Sequence, residues 1–116
     1  MRVAIVGSRR RTDREAVEAY VATLPADAAV VTGGARGPDS WAEAAARARG
    51  LAVAIHRPML DGVRSRGEAA RRLYERNQRV VDDCDRVVAF VAPDRRGGTE
   101  DTIRRAGRAG KPVEIR

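Results

Sequence analysis

The sequence predicts an α/β fold: one domain, with five strands in a parallel sheet and helices on both faces. Three observations predict it. Strand-like and helix-like segments alternate along the chain. The strand segments are nearly continuous apolar runs, as expected when both faces of a sheet are covered. The glycine-rich loops follow strands and precede helices, where open α/β sheets bind ligands. A length of 116 residues suits a single domain. A chain of this size buries roughly two thirds of its unfolded surface, enough for one core.

Each element has its own justification. Arg2–Val6 is a short β-branched run ending at Gly7, the first strand. Thr12-Asp13-Arg14-Glu15 has the form of a capping box, so a helix is expected from there to about Leu24. Val17, Tyr20, Val21 and Leu24 give it an apolar face, and Pro25 stops it. Ala28–Thr32 is the second strand. The loop Gly33–Asp39 leads into an alanine-rich helix, Ser40–Arg49, with Gly50 at the left-handed C-terminal position. Leu51–Ile55 is the third strand, and Pro58, Gly62 and Ser65 mark a loop over 57–66. A long helix is expected over Gly67–Asp82, with Ala70, Leu73, Tyr74, Val80 and Val81 facing inward. Arg86–Val91 is the fourth strand, Ala92–Gly98 a loop, and Thr99 to about Gly107 the last helix. Lys111-Pro112 turn the chain into a final strand, Val113–Ile115.

This pattern is that of a Rossmann-like three-layer domain. Winding outward from the first strand and then reversing gives the strand order 3-2-1-4-5. The switch point then lies between strands one and four, and the loops Gly7–Arg11, Gly33–Asp39 and Ala92–Thr99 gather there.

Composition narrows the function. The chain is 43% hydrophobic and 34% charged, which fits neither disorder nor a membrane protein. No segment approaches the ~20 apolar residues of a spanning helix. The chain opens directly on a strand pattern, so no signal peptide is expected and the protein reads as cytoplasmic. The single cysteine, Cys84, excludes an internal disulfide and a zinc cluster. The net charge is +7, and Lys111 is the one lysine among 23 basic residues. Such an arginine excess, beside abundant alanine, fits a GC-rich coding sequence as well as a binding adaptation. A basic domain still attracts polyanions. Aromatics are 3% of the chain, leaving few platforms for single-stranded nucleic acid, so small phosphorylated ligands are favoured.

Three loops carry the candidate chemistry. In Gly33-Gly34-Ala35-Arg36-Gly37-Pro38-Asp39, glycines let the backbone approach a ligand, and the following helix offers amides and a favourable dipole to a phosphate. Arg36 can clamp that phosphate and Asp39 can accept from ribose hydroxyls. The alternative is a plain turn with Asp39 as N-cap. The loop is neither a Walker A sequence nor Gly-x-Gly-x-x-Gly, so the usual kinase, NTPase and dehydrogenase signatures are absent. Gly97-Gly98-Thr99 places a second set of amides and a hydroxyl at a helix start; the alternative is a cap at Thr99, and both can hold together. In Gly7-Ser8-Arg9, Ser8 can donate to a phosphate or sugar and Arg9 can supply charge, whereas a polar strand end explains it as well. Arg10 and Arg11 read as solvated. Trp41, His56 and Cys84 read as packing or edge residues. The cluster Asp82, Asp83 and Asp85 reads as a solvated turn.

Taken together, Gly7-Ser8-Arg9, Gly33-Gly34-Ala35-Arg36-Gly37-x-Asp39, Arg76-Asn77 and Gly97-Gly98-Thr99 resemble the SLOG superfamily. That group joins the DprA-type DNA-processing proteins to the LOG phosphoribohydrolases. The chain looks most like its YspA and DUF2493 branch, from Val3 to Ile115. The resemblance implies a Rossmann-like domain that binds a nucleotide or a nucleotide-derived ligand. Relatives are ligand sensors, N-glycosidic hydrolases or nucleic-acid binders. It also implies that Arg76 lies near the phosphate and sugar. The hydrolases carry Pro-Gly-Gly-x-Gly-Thr-x-x-Glu with a catalytic glutamate; here Pro93–Thr99 keeps the end of that loop, and Thr102 stands at the glutamate position.

Three functions follow as expectations. The first is a module binding an adenine nucleotide or an ADP-ribose type of ligand, as sensor or carrier, with no cofactor and no metal. The second is an N-glycosidic or phosphoribosyl hydrolase, with Asp39, Glu100 and Asp101 as candidate acids. The third is a DprA-like nucleic-acid binder. The alanine-rich helices also predict a homodimer, formed through Ser40–Arg49 and Gly67–Asp82.

Overall fold

Strands this apolar call for cover on both faces, and the sheet provides it for the three at its centre. In the computed structural model, which describes residues 1–116, β1 (Arg2–Gly7) lies at its centre. β1 pairs in parallel with β2 (Ala29–Thr32) on one side and β4 (Arg86–Phe90) on the other. β3 (Ala52–Ile55) and β5 (Val113–Ile115) form the edges, so the order is β3-β2-β1-β4-β5. This is the order predicted from the sequence. The helices α1 (Arg14–Ala22), α2 (Pro38–Ala48), α3 (Arg66–Asp82) and α4 (Gly98–Arg108) complete the alternation.

The strand period of two divides the core. Val3 and Ile5 point to one face with Val30, Val88 and Phe90, and pack on Val17, Val21, Ala42 and Ala46 of α1 and α2. Ala4 and Val6 point to the other with Val31, Val87 and Ala89, and pack on Val80, Val81 and Ala106 of α3 and α4. Alanines at the α2 contacts let that helix lie close to the sheet. No helix is long and apolar enough to cross a membrane.

Several local expectations are corrected. Thr12 does not cap α1. Asp13 holds the N-cap position without capping, because Arg11 takes its carboxylate at 2.8 Å. Arg11 is not solvated either: it also donates to the Val91 and Arg116 carbonyls at 3.0 and 2.8 Å and lies over the Phe90 ring. α2 begins at Pro38 rather than Ser40, with proline in the first turn, where its missing N–H costs nothing. Gly37 is therefore the N-cap and Asp39 is not. α4 likewise begins at Gly98 with Gly97, at φ 116°, as N-cap, which moves Thr99 inside the helix. α3 begins one residue early and is capped by Ser65, which accepts from the Glu68 amide at 3.0 Å. Its expected inward face is half right. Val80 and Val81 are buried, whereas Leu73 is 38% and Tyr74 46% exposed. Neither of those two side chains belongs to the core on that face of the sheet.

Candidate functional site

The loops that leave β1, β2 and β4 meet at the carboxyl edge of the sheet, around the switch point. With α3 they enclose a cleft of about 760 Å³. Gly7, Ser8 and Arg9 wall it from β1, and Gly33, Gly34, Ala35 and Arg36 from β2. Asp39 comes from α2, Arg76 and Asn77 from α3, and Gly97, Gly98 and Thr99 from the start of α4. Gly37, Glu100 and Asp101 lie off this wall.

Asp39 organises the β2 side. It is 4% exposed, and its carboxylate accepts the Gly33 N–H at 3.0 Å. Burial pushes its carboxyl up to about 6; the Gly33 amide, the Arg76 charge and the Ala35 and Gly7 amides pull the other way. The Gly34 amide donates to Thr32 Oγ1 at 3.3 Å. The amides of this glycine loop are thus directed largely at the protein's own groups. Close packing fixes the loop against its neighbours. A Cβ on Gly7 would stand 2.4 Å from Pro38 Cγ, and one on Gly33 2.9 Å from the Arg76 guanidinium. Gly37 lets the backbone of Ser8 and Arg9 pass beside it.

A chain of hydrogen bonds crosses the cleft floor. Arg76 donates to the Gly33 carbonyl and, through Nε, to Asn77 Oδ1 at 3.1 Å. Asn77, itself buried, donates to the Gly98 carbonyl at 3.4 Å and to Asp101 at 3.0 Å. The two glycine loops are tied together through these adjacent residues of α3. Burial lowers the Arg76 pKa from its ordinary value.

The β4 side is different. Gly98 and Thr99 hold the first positions of α4, where amides have no partner within the helix. No carbonyl or side chain of the fold takes them. A Cβ on Gly98 would meet nothing within 4 Å, so packing does not explain this glycine. Thr99 and Thr102, three residues apart on one helix face, both line the cleft. Arg9, Arg36 and Arg96 stand exposed on the wall without ion pairs, whereas Arg10, also on it, is paired with Asp94 at 3.1 Å. Asp39 is the only carboxylate on the wall. Glu100 accepts two hydrogen bonds from Arg95, at 2.9 and 3.0 Å, and Asp101 one from Arg105 at 2.7 Å.

Sequence reasoning passed over Arg96, Pro58, Ala70, Leu73, Tyr74 and Thr102 as wall residues. Thr102 had a signal in its spacing from Thr99. Leu73 and Tyr74 were masked by helical periodicity, which suits a core face as well as a cleft wall. Trp41 packs against the core, and His56 bonds Asp83 at 2.8 Å beyond the cleft.

No protein-family model and no curated protein matches the chain. Among solved structures it is similar to DNA processing protein A (DprA) from Streptococcus pneumoniae, with a TM-score of 0.80 at 22% identity. That match covers 98% of this chain and 49% of DprA, so the chain spans about half of DprA's length. It is also similar to TM1055, a structural-genomics target, with a TM-score of 0.72 at 22% identity over 97% of this chain and 71% of that one. The chain has the Rossmann-like fold that these two structures share.

Proposed function

We propose that the cleft binds a nucleotide or nucleotide-derived ligand, of the adenine nucleotide or ADP-ribose type, and that the protein acts as a sensor or carrier within the SLOG superfamily. One observation carries the reading: the α4 N-terminus, where the Gly98 and Thr99 amides have no partner, lines a cleft rimmed by unpaired arginines. Helix N-termini of this kind favour phosphate through both hydrogen bonds and the dipole. Ser8, Arg9, Arg36 and Arg76 are the further phosphate and sugar contacts. The glycines at 7, 33, 34 and 97 and Ala35 shape the backbone around them.

The distribution of acids favours binding over hydrolysis. Cleaving an N-glycosidic bond needs a carboxyl group free to face the sugar or a water. Asp39 is turned towards backbone amides, and arginines hold Glu100 and Asp101. A second reading, nucleic-acid binding, is favoured by the likeness to a DNA-processing protein together with the net charge of +7.

A thermal-shift panel tests the proposal: AMP, ADP-ribose, NAD, inorganic phosphate and a short single-stranded DNA. A ligand at about 100 times its Kd adds about 2.7 kcal/mol, several degrees for a domain of this size. A shift with a nucleotide that phosphate alone does not give supports the reading. A shift with DNA alone favours the second, and product released from a shifting nucleotide moves the assignment to hydrolysis.

A further inference from the structure

The cleft has a second character away from its glycine loops. Ala70, Leu73 and Tyr74 line it from α3, and Pro58 from the preceding loop. Leu73 and Tyr74 are among the few large apolar side chains that the fold leaves uncovered. Their position relative to α4 is fixed. Asn77 bonds the Gly98 carbonyl, and Leu73 lies four residues earlier on the same helix face. Four residues are about 6 Å of helix axis, and the seven back to Ala70 about 10 Å. An apolar wall therefore begins about one helical turn along α3 from the residue that bonds the Gly98 carbonyl, a step comparable to the length of a sugar. It ends within the span of a single ring system. Tyr74 is also held in place, since the Arg105 guanidinium lies 5.9 Å from its ring centroid while Arg105 bonds Asp101 and Gln78.

We infer that this wall is the subsite for the planar base of the ligand, so that a nucleotide lies along α3 with its phosphate on the α4 N-terminus and its base against Leu73 and Tyr74. The inference rests on the nucleotide reading above and gives it a direction. A planar ring suits the site: rings can pack on Tyr74 and Pro58 without hydrogen bonds, and burying this apolar surface drives the contact. The Tyr74 hydroxyl is the one polar side-chain group of this wall, so affinity for different bases should vary little.

Calorimetric titration of AMP and of ribose 5-phosphate into the wild type, Tyr74→Ala, Leu73→Ala and Tyr74→Phe tests it. The half-exposed positions should tolerate truncation, and unliganded melting curves check this. AMP should bind the two alanine variants about tenfold or more weakly, ribose 5-phosphate should be unaffected, and Tyr74→Phe should bind AMP as the wild type does. If the wild type binds AMP and the alanine variants bind it equally well, the subsite is overturned and the nucleotide reading stands. If both ligands weaken together, the wall does not read the base and the inference also fails. Sedimentation runs beside the titrations. An alanine variant that dissociates a dimer without losing AMP affinity would assign the wall to a second copy of the chain. If no phosphorylated ligand binds the wild type, the nucleotide reading itself falls, and this inference with it.

Discussion

Asp39 lies among the amides of Gly7, Gly33 and Ala35, with the Arg76 charge nearby, and this makes it both a structural anchor and a titrating group. Its folded pKa of about 6 stands above its ordinary 3.8. The folded state therefore holds this proton more tightly than the unfolded chain does. The group's contribution to stability is greatest below about pH 3.8 and is lost as pH rises through about 6, a change on the order of 3 kcal/mol. Asp39→Asn removes that titration. The melting temperature of the wild type relative to Asp39→Asn should fall between about pH 4 and about pH 7; a constant difference would show that Asp39 titrates as an ordinary carboxyl. The sequence placed Asp39 beside a glycine loop and left three uses for it, a ligand contact, a helix cap or a catalytic acid. It could not reveal the inward turn, which depends on Gly7 and Arg76, distant in the chain. Glu100 and Asp101 were read from their place beside Gly98-Thr99. Their arginine partners depend on the left-handed Arg95 and on the i,i+4 spacing of Arg105.

At the scale of elements, legibility followed the apolar runs that make strands, the exposed edge strands β3 and β5 included. β1, β2 and β4 are apolar on both faces, and the sequence located each to within a residue at its ends. Helix starts were less legible. Pro38 and the paired glycines Gly97-Gly98 pre-shape their own first turns, whereas the N-cap of α1 falls on Asp13 and not Thr12, and Arg11 takes the Asp13 carboxylate. α3 shows the limit of periodicity: one apolar stripe serves the core at Val80 and Val81 and the cleft at Leu73. α4 carries a glycine without such a role. Gly107 is helical, has no positive φ, and its Cβ would meet nothing within 4 Å. Gly107→Ala should therefore raise stability by about 0.5–1 kcal/mol in denaturant unfolding, through helix propensity and a less flexible unfolded chain. A loss of stability would mean that α4 needs flexibility near its C-terminus.

For the whole molecule, charge and topology act on the same place. The strand order brings the β1, β2 and β4 loops together, and the unpaired Arg9, Arg36 and Arg96 leave that edge basic. A small phosphate ligand neutralises few of these charges, whereas a nucleic acid neutralises many. Titrations between about 50 and 200 mM salt should therefore show a shallow dependence for AMP. A loss of about a thousandfold for single-stranded DNA, with no AMP binding, would favour the nucleic-acid reading. Composition alone could not decide between these readings, because an arginine count does not show which guanidinium groups are paired. The most direct measurement is calorimetric titration of AMP into the wild type and Gly98→Ala. The variant adds one methyl group in open space at the start of α4, so its unfolding should match the wild type within about 0.5 kcal/mol. AMP is expected to bind the wild type and to bind Gly98→Ala at least tenfold more weakly. Equal affinity in the two proteins, or none in either, would contradict a phosphate seat on the α4 N-terminus.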